Sequence, residues 1–119
     1  MKFDWDTKEN KQFLNAILSL ENKTEAKSFL RDLMTEGEIV EFGKRLEAAR
    51  LLSNDTQYAL IIERTGLSST TIARISKWLR GSLGGYRMIL SRTNNLKNEI
   101  NNKHHNNPSK IQRGLPLTR

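Results

Sequence analysis

Almost every apolar residue of this chain recurs at helical spacing, and no stretch alternates with the period of two that a half-buried strand requires. That pattern confines the fold to packed helices. Phe13, Ile17 and Leu20, flanked by Leu14 and Leu18, predict a first helix over about 8–21. Asn22, with Glu25 three residues on, reads as a capping box for a second helix whose stripe is Ala26, Phe29, Leu30 and Leu33. Thr35-Glu36-Gly37-Glu38 is a cleaner capping box. It opens a helix to about Ser53, expected to bury Ile39, Phe42, Leu46, Ala49 and Leu52. Asn54-Asp55 stops that helix, and Thr56 or Gln57 starts the next.

A chain of 119 residues suits one domain, or two chains sharing a core. It has no cysteine, which excludes a disulfide framework, thiolate zinc sites and thiol nucleophiles, and fits a reducing compartment. Its longest strictly aliphatic run is Ala59-Leu60-Ile61-Ile62, far short of the ~20 residues of a membrane span. Asp4, Asp6 and Glu9 interrupt the N-terminus where a signal peptide would be apolar. A cytoplasmic protein is expected. From about Asn98 the chain is rich in Asn and basic residues and poor in apolar ones, so a disordered basic tail is expected there. The division is a helical domain over 1–91 and a tail over 92–119.

Charge is distributed unevenly. Residues 1–63 hold 9 Lys/Arg and 12 Asp/Glu, whereas residues 64–119 hold 11 Lys/Arg and one acid, Glu99. A half this basic suits a polyanionic partner, although a solvated basic surface would look the same on charge alone.

The segment from Tyr58 to Leu79 decides between these. A short helix ends at Thr65-Gly66, where glycine supplies the left-handed conformation of a sharp turn. Leu67 plugs the corner, and Ser68 or Ser69 caps a second helix with Ile72, Ile75 and Leu79 facing inward. Its outward face is Ser69, Thr70, Ala73, Arg74, Lys77 and Arg80, with Thr71 at the leading edge. This is the pattern of a helix-turn-helix at about 57–80. The second helix enters a major groove about 12 Å wide, so its leading residues are short and able to hydrogen-bond. Cations behind them hold phosphates. Gln57 and Ser68 are expected at phosphates near helix ends; Ser69, Thr70, Thr71 and Arg74 at base edges; and Lys77, Arg80, Arg87 and the tail at further phosphates. Ile62 departs from the pattern, which carries a small residue there.

Residues from about Phe29 to Leu90 resemble the Trp repressor superfamily, in its YerC/YecD branch. The likeness is carried by Leu30-Arg31-Asp32-Leu33-Met34-Thr35, by Lys44 through Leu52, by Thr65-Gly66-Leu67-Ser68 through Arg74, and by Gly84-Gly85-Tyr86-Arg87. The resemblance implies an all-helical, intertwined homodimer offering one helix-turn-helix per chain to a half-site. The half-site spacing of about 34 Å is borrowed from the class of complexes that includes Trp repressor itself. In the tryptophan-sensing member two arginines clamp the ligand, and a glycine and a serine leave it room. By the resemblance Arg45 and Arg74 take the arginine positions, Ile75 the glycine's and Trp78 the serine's. A branched side chain and an indole would fill the ligand's space, so tryptophan binding is not expected, and Arg45, Arg74, Ile75 and Trp78 would be the remnant of a pocket.

Other chemistry is poorly supported. Adjacent His104 and His105 chelate one ion badly, so no metal is expected. Glu36, Glu38 and Glu41 suit a helix N-terminus better than a catalytic pair. Gly81, Gly84 and Gly85 lack the strand and the Lys-Ser/Thr of a phosphate loop. They are expected to end the recognition helix and let Tyr86, Met88, Ile89 and Leu90 form a short last helix. No enzyme and no cofactor are expected. The reading is a double-stranded DNA-binding transcriptional regulator, a repressor, acting as a homodimer. The alternative is a helical interaction module docking its basic face on RNA or an acidic protein.

Overall fold

A computed structural model describes residues 2–104, with side chains described as far as residue 94. Among the described residues there are six α-helices and no strand: α1 (Lys8–Ser19), α2 (Lys23–Leu33), α3 (Glu36–Ser53), α4 (Tyr58–Thr65), α5 (Ser69–Leu79) and α6 (Gly85–His104). The chain divides into two compact units, Met1–Phe42 and Gly43–Arg119, and the division falls within α3.

In the first unit, local hydrogen bonding sets the helix boundaries. Thr7 Oγ1 accepts from the Asn10 amide at 3.1 Å, and Asn22 Oδ1 accepts from the Glu25 amide at 2.9 Å. The expected box at Asn22 forms with a one-residue shift, because Glu25 Oε1 accepts from the amide of Glu21. At Thr35 the box is reciprocal: Thr35 Oγ1 accepts from the Glu38 amide at 3.1 Å, and Glu38 Oε1 accepts from the Thr35 amide at 2.9 Å. Neither α1 nor α2 contains a buried residue. Phe13, Leu14, Ile17, Leu18, Leu30 and Leu33 are all exposed, Leu18 by 80%.

The second unit holds the hydrophobic core. Ala48, Ala49, Leu51 and Leu52 of α3 pack with Ile61 of α4, Leu67 of the following turn, Ile72, Ile75 and Leu79 of α5, and Leu90 of α6. Ile61, Ile72 and Ile75 are fully buried, each contributing about 1.5–3 kcal/mol of transfer free energy. The spacing predicted Phe42 and Leu46 as core residues, but Phe42 is 50% and Leu46 40% exposed. Ala49 and Leu52 are in the core as expected, joined by Ala48 and Leu51 from the C-terminal half of α3. Apolar spacing marks a face to be covered without saying what covers it.

The last helix also differs from expectation. It was expected to be short, yet α6 continues through His104. No glycine or proline occurs between Tyr86 and Asn107, and Ile89, Leu96 and Ile100 keep a helical spacing, so nothing in the covalent chain interrupts the helix. The remainder of the expected tail, 105–119, and with it His105, lies outside the described residues.

Candidate nucleic-acid interface

Two helices and a three-residue connection build the corner predicted at 57–80. At the end of α4, Gly66 adopts φ +75°, and its amide donates to the Ile62 carbonyl at 2.8 Å. A side chain at Gly66 would have open space around it, so the left-handed backbone alone favours glycine there. Thr65, which the sequence reading gave no role, locks the turn. Its buried hydroxyl donates to the Ile61 carbonyl at 2.7 Å and accepts from the Leu67 amide at 3.2 Å. Threonine before the turn glycine was the available signal. Leu67 is buried beneath the corner as expected.

Ser68 is the cap of α5. Its hydroxyl accepts from the Thr71 amide at 3.1 Å and donates to Thr71 Oγ1 at 3.0 Å. Both hydroxyls therefore already have intramolecular partners, and Thr71 is half-buried. Ser69, Thr70, Ala73, Arg74, Lys77 and Arg80 are exposed, while Ile72, Ile75, Ser76 and Leu79 are buried. One face of α5 thus runs from small hydroxyl side chains at its positive N-terminal end to three cations farther along. The sequence has no carboxylate between Glu63 and Glu99 to neutralise that face. Gln57 occupies the cap position of α4, is exposed, and makes no capping bond with its side chain. On the inner face of α5 the buried Ser76 hydroxyl has no hydrogen-bond partner among the described residues.

Arg87, expected at a further phosphate, belongs to α6 rather than α5 and is exposed. It stands in the first turn of α6, where its guanidinium Nη1 donates to the carbonyls of Leu79 and Gly81.

Of the four residues expected around a remnant ligand pocket, Arg74, Ile75 and Trp78 lie on α5, with Arg74 and Trp78 one turn apart, and Arg45 is on α3. A groove of about 650 Å³ runs beside the α5–α6 connection, lined by Leu46, Trp78, Leu83, Tyr86, Met88 and Ile89 among others. Trp78 is on its wall and 52% exposed, whereas Ile75 is fully buried in the core and neither Arg45 nor Arg74 is among the lining residues. Burial pushes the Tyr86 phenol above its usual range, and the Arg45 charge partly offsets that rise. Among the described residues no group of three side chains could hold a metal ion, and no helix is long and apolar enough to cross a membrane.

Comparison with known proteins agrees with this geometry. The family model for the Trp repressor protein matches residues 8–94. The chain belongs to the Trp repressor family. Within the family it is of the YerC type, being 38% identical over 96 residues to the protein YerC of Bacillus subtilis (strain 168), across 81% of this chain and 92% of YerC. A TrpR-like protein from Eubacterium eligens ATCC 27750 has a similar crystal structure, with a TM-score of 0.71 and 34% identity over 76% of this chain and 93% of that one. A candidate Trp repressor from Staphylococcus aureus superposes with a TM-score of 0.66 and 37% identity, covering 71% and 84% of the two chains. Family and fold are those of helix-turn-helix DNA-binding regulators, which are not enzymes.

Proposed function

We propose that this chain is a homodimeric, sequence-reading regulator of transcription that represses by occupying double-stranded DNA, without needing tryptophan. The observation that carries the proposal is the exposed face of α5: short hydroxyl side chains at the leading turn, Arg74, Lys77 and Arg80 behind them, and no carboxylate among them. Ser69, Thr70, Thr71 and Arg74 approach base edges in the major groove, while Gln57, Lys77 and Arg80 hold phosphates on either side. Ser68 acts mainly by fixing the start of α5.

Dimerisation is supported by the first unit, whose helices carry Phe13, Ile17, Leu18 and Leu33 on exposed faces. Exposed apolar surface on this scale suits a second copy of the chain. Independence from tryptophan is supported by Ile75 and Trp78, which by the resemblance stand where the tryptophan-sensing member has the small residues that give its ligand room.

Selection of random-sequence duplexes at about 150 mM salt, without added ligand, tests the proposal. The expected result is an enriched pseudo-palindrome with half-sites about one helical turn apart. Arg74→Ala should then cost about 1–3 kcal/mol on the selected site and relax the preference at one position. An equal loss on every sequence would make Arg74 a phosphate contact. A flat response to DNA sequence with tight binding to structured RNA would replace the proposal with that of an RNA-docking module.

A further inference from the structure

Resting on the function just proposed, we infer that Arg87 is a positioning residue that sets the C-terminal end of the recognition helix, with Gly84 as the seat of its guanidinium, rather than a phosphate contact. The argument begins at the end of α5. The last carbonyls of any helix lack intrahelical partners and form the negative pole of its dipole. In α5 the chain closes with the Arg80 amide on the Ser76 carbonyl at 3.2 Å and the Gly81 amide on the Trp78 carbonyl at 3.1 Å. It then turns away through Ser82, Leu83 and Gly84. That leaves the carbonyl of Leu79, in the last turn, and that of Gly81, just beyond the cap, to find other donors. Both are taken by the Nη1 of Arg87, the Gly81 bond at 2.8 Å. Charge-assisted bonds of this kind are roughly twice as strong as neutral ones.

Gly84 makes the arrangement possible. It adopts φ +72°, which a side chain would strain, and a Cβ built there would lie 3.0 Å from Arg87 Nη2 and 3.7 Å from its Cζ. The guanidinium therefore lies against the bare backbone of Gly84. The Gly84 carbonyl in turn accepts from the Met88 amide at 3.0 Å as α6 begins. One arginine thus ties the end of α5 to the start of α6 across a connection whose own Leu83 is 98% exposed and contributes almost no packing. Since Lys77 and Arg80 lie at this end of α5, an unanchored last turn would leave two of the three cations of the proposed interface poorly placed. The clamp holds them in register with the leading turn.

The test compares the wild type, Arg87→Met, Gly84→Ala and the double variant on the selected duplex. Affinity is measured over a series of salt concentrations, at a temperature where circular dichroism shows each protein folded. A positioning role predicts that each single change weakens specific binding by about tenfold or more, that Gly84→Ala makes the slope of log affinity against log salt shallower to the same extent as Arg87→Met because the Lys77 and Arg80 phosphate contacts loosen in both, and that the double variant loses no more than the weaker-binding single. A phosphate contact predicts a slope shallower by about 0.9 for Arg87→Met alone, with Gly84→Ala binding like the wild type; that result overturns the inference, as does wild-type affinity in both variants. Amide hydrogen exchange in the DNA-free protein is an independent readout. Arg87→Met should speed exchange at residues 79–82 while leaving the amides of α4 unchanged, and equal acceleration in both segments would show general destabilisation and overturn the clamp. Because it needs no DNA, this measurement separates failure of the clamp from failure of the proposed function, which would show as a wild type that selects no duplex.

Discussion

Met1–Phe42 and Gly43–Arg119 are built from the same material, short amphipathic helices with well-formed caps, yet they treat their apolar faces in opposite ways. In the second unit Ile61, Ile72 and Ile75 are fully buried, so α4 and α5 are held as a rigid corner. In the first unit α1 and α2 bury no residue, and their side chains Phe13, Ile17 and Leu18 are exposed. Both have the local ingredients of stable helices: Thr7, Asn22 and Thr35 cap as firmly as Ser68 does. The lesson is that capping and amphipathicity make a helix, whereas only a facing surface makes a core. The first unit leaves its apolar face exposed in the single chain, and the proposed function assigns a second copy of the chain to cover it.

The largest effect should come from attacking that surface. Phe13→Glu combined with Ile17→Glu is expected to abolish dimerisation in sedimentation equilibrium and to weaken specific DNA binding by at least about 100-fold, since two half-sites can no longer be engaged together. Unchanged association would show that the first unit's apolar face is not the dimer interface, and the contrast between the units would then be one of stability alone.

Next comes the core of the second unit. Ile72→Ala leaves a cavity among fully buried neighbours and should cost about 2–5 kcal/mol in denaturant unfolding. Ile17→Ala, by contrast, should cost an amount that rises with protein concentration, because in the proposed dimer association is what buries it. A loss at position 17 that does not vary with concentration would break the comparison.

The smallest effect sharpens it from inside. The Ser76 hydroxyl is buried on α5 without a partner among the described residues. Ser76→Ala should therefore raise stability by about 1 kcal/mol, by removing a polar group that gains nothing from burial. A loss of stability would mean that the hydroxyl finds a hydrogen-bond partner in solution after all.

Much of the fold was legible because its signals are local. The Thr35 box, the Gly66 turn and the Ser68 cap each depend on residues two to four apart, and the structure forms all three. The outward face of α5 was legible for the same reason, since once a helix starts at Ser69 the period of 3.6 fixes which side chains share the face of Arg74. What was not legible depends on what approaches from elsewhere in the chain. Arg87 looked like one more cation of a basic half, and nothing in its neighbours announced that it reaches back eight residues to the Leu79 carbonyl. Phe42 and Leu46 looked like core because they are apolar and correctly spaced, but spacing carries no information about the facing surface.

By itself the sequence determined the helices, their caps, the glycine turn and the chemistry of the presented face, all governed by short-range sterics and hydrogen bonding. Tertiary structure alone decided which of the other apolar stripes became core, that Trp78 came to line a groove, and that Arg87 reaches the end of α5. Burial and orientation are properties of pairs of surfaces, and a pair exists only once the chain has folded.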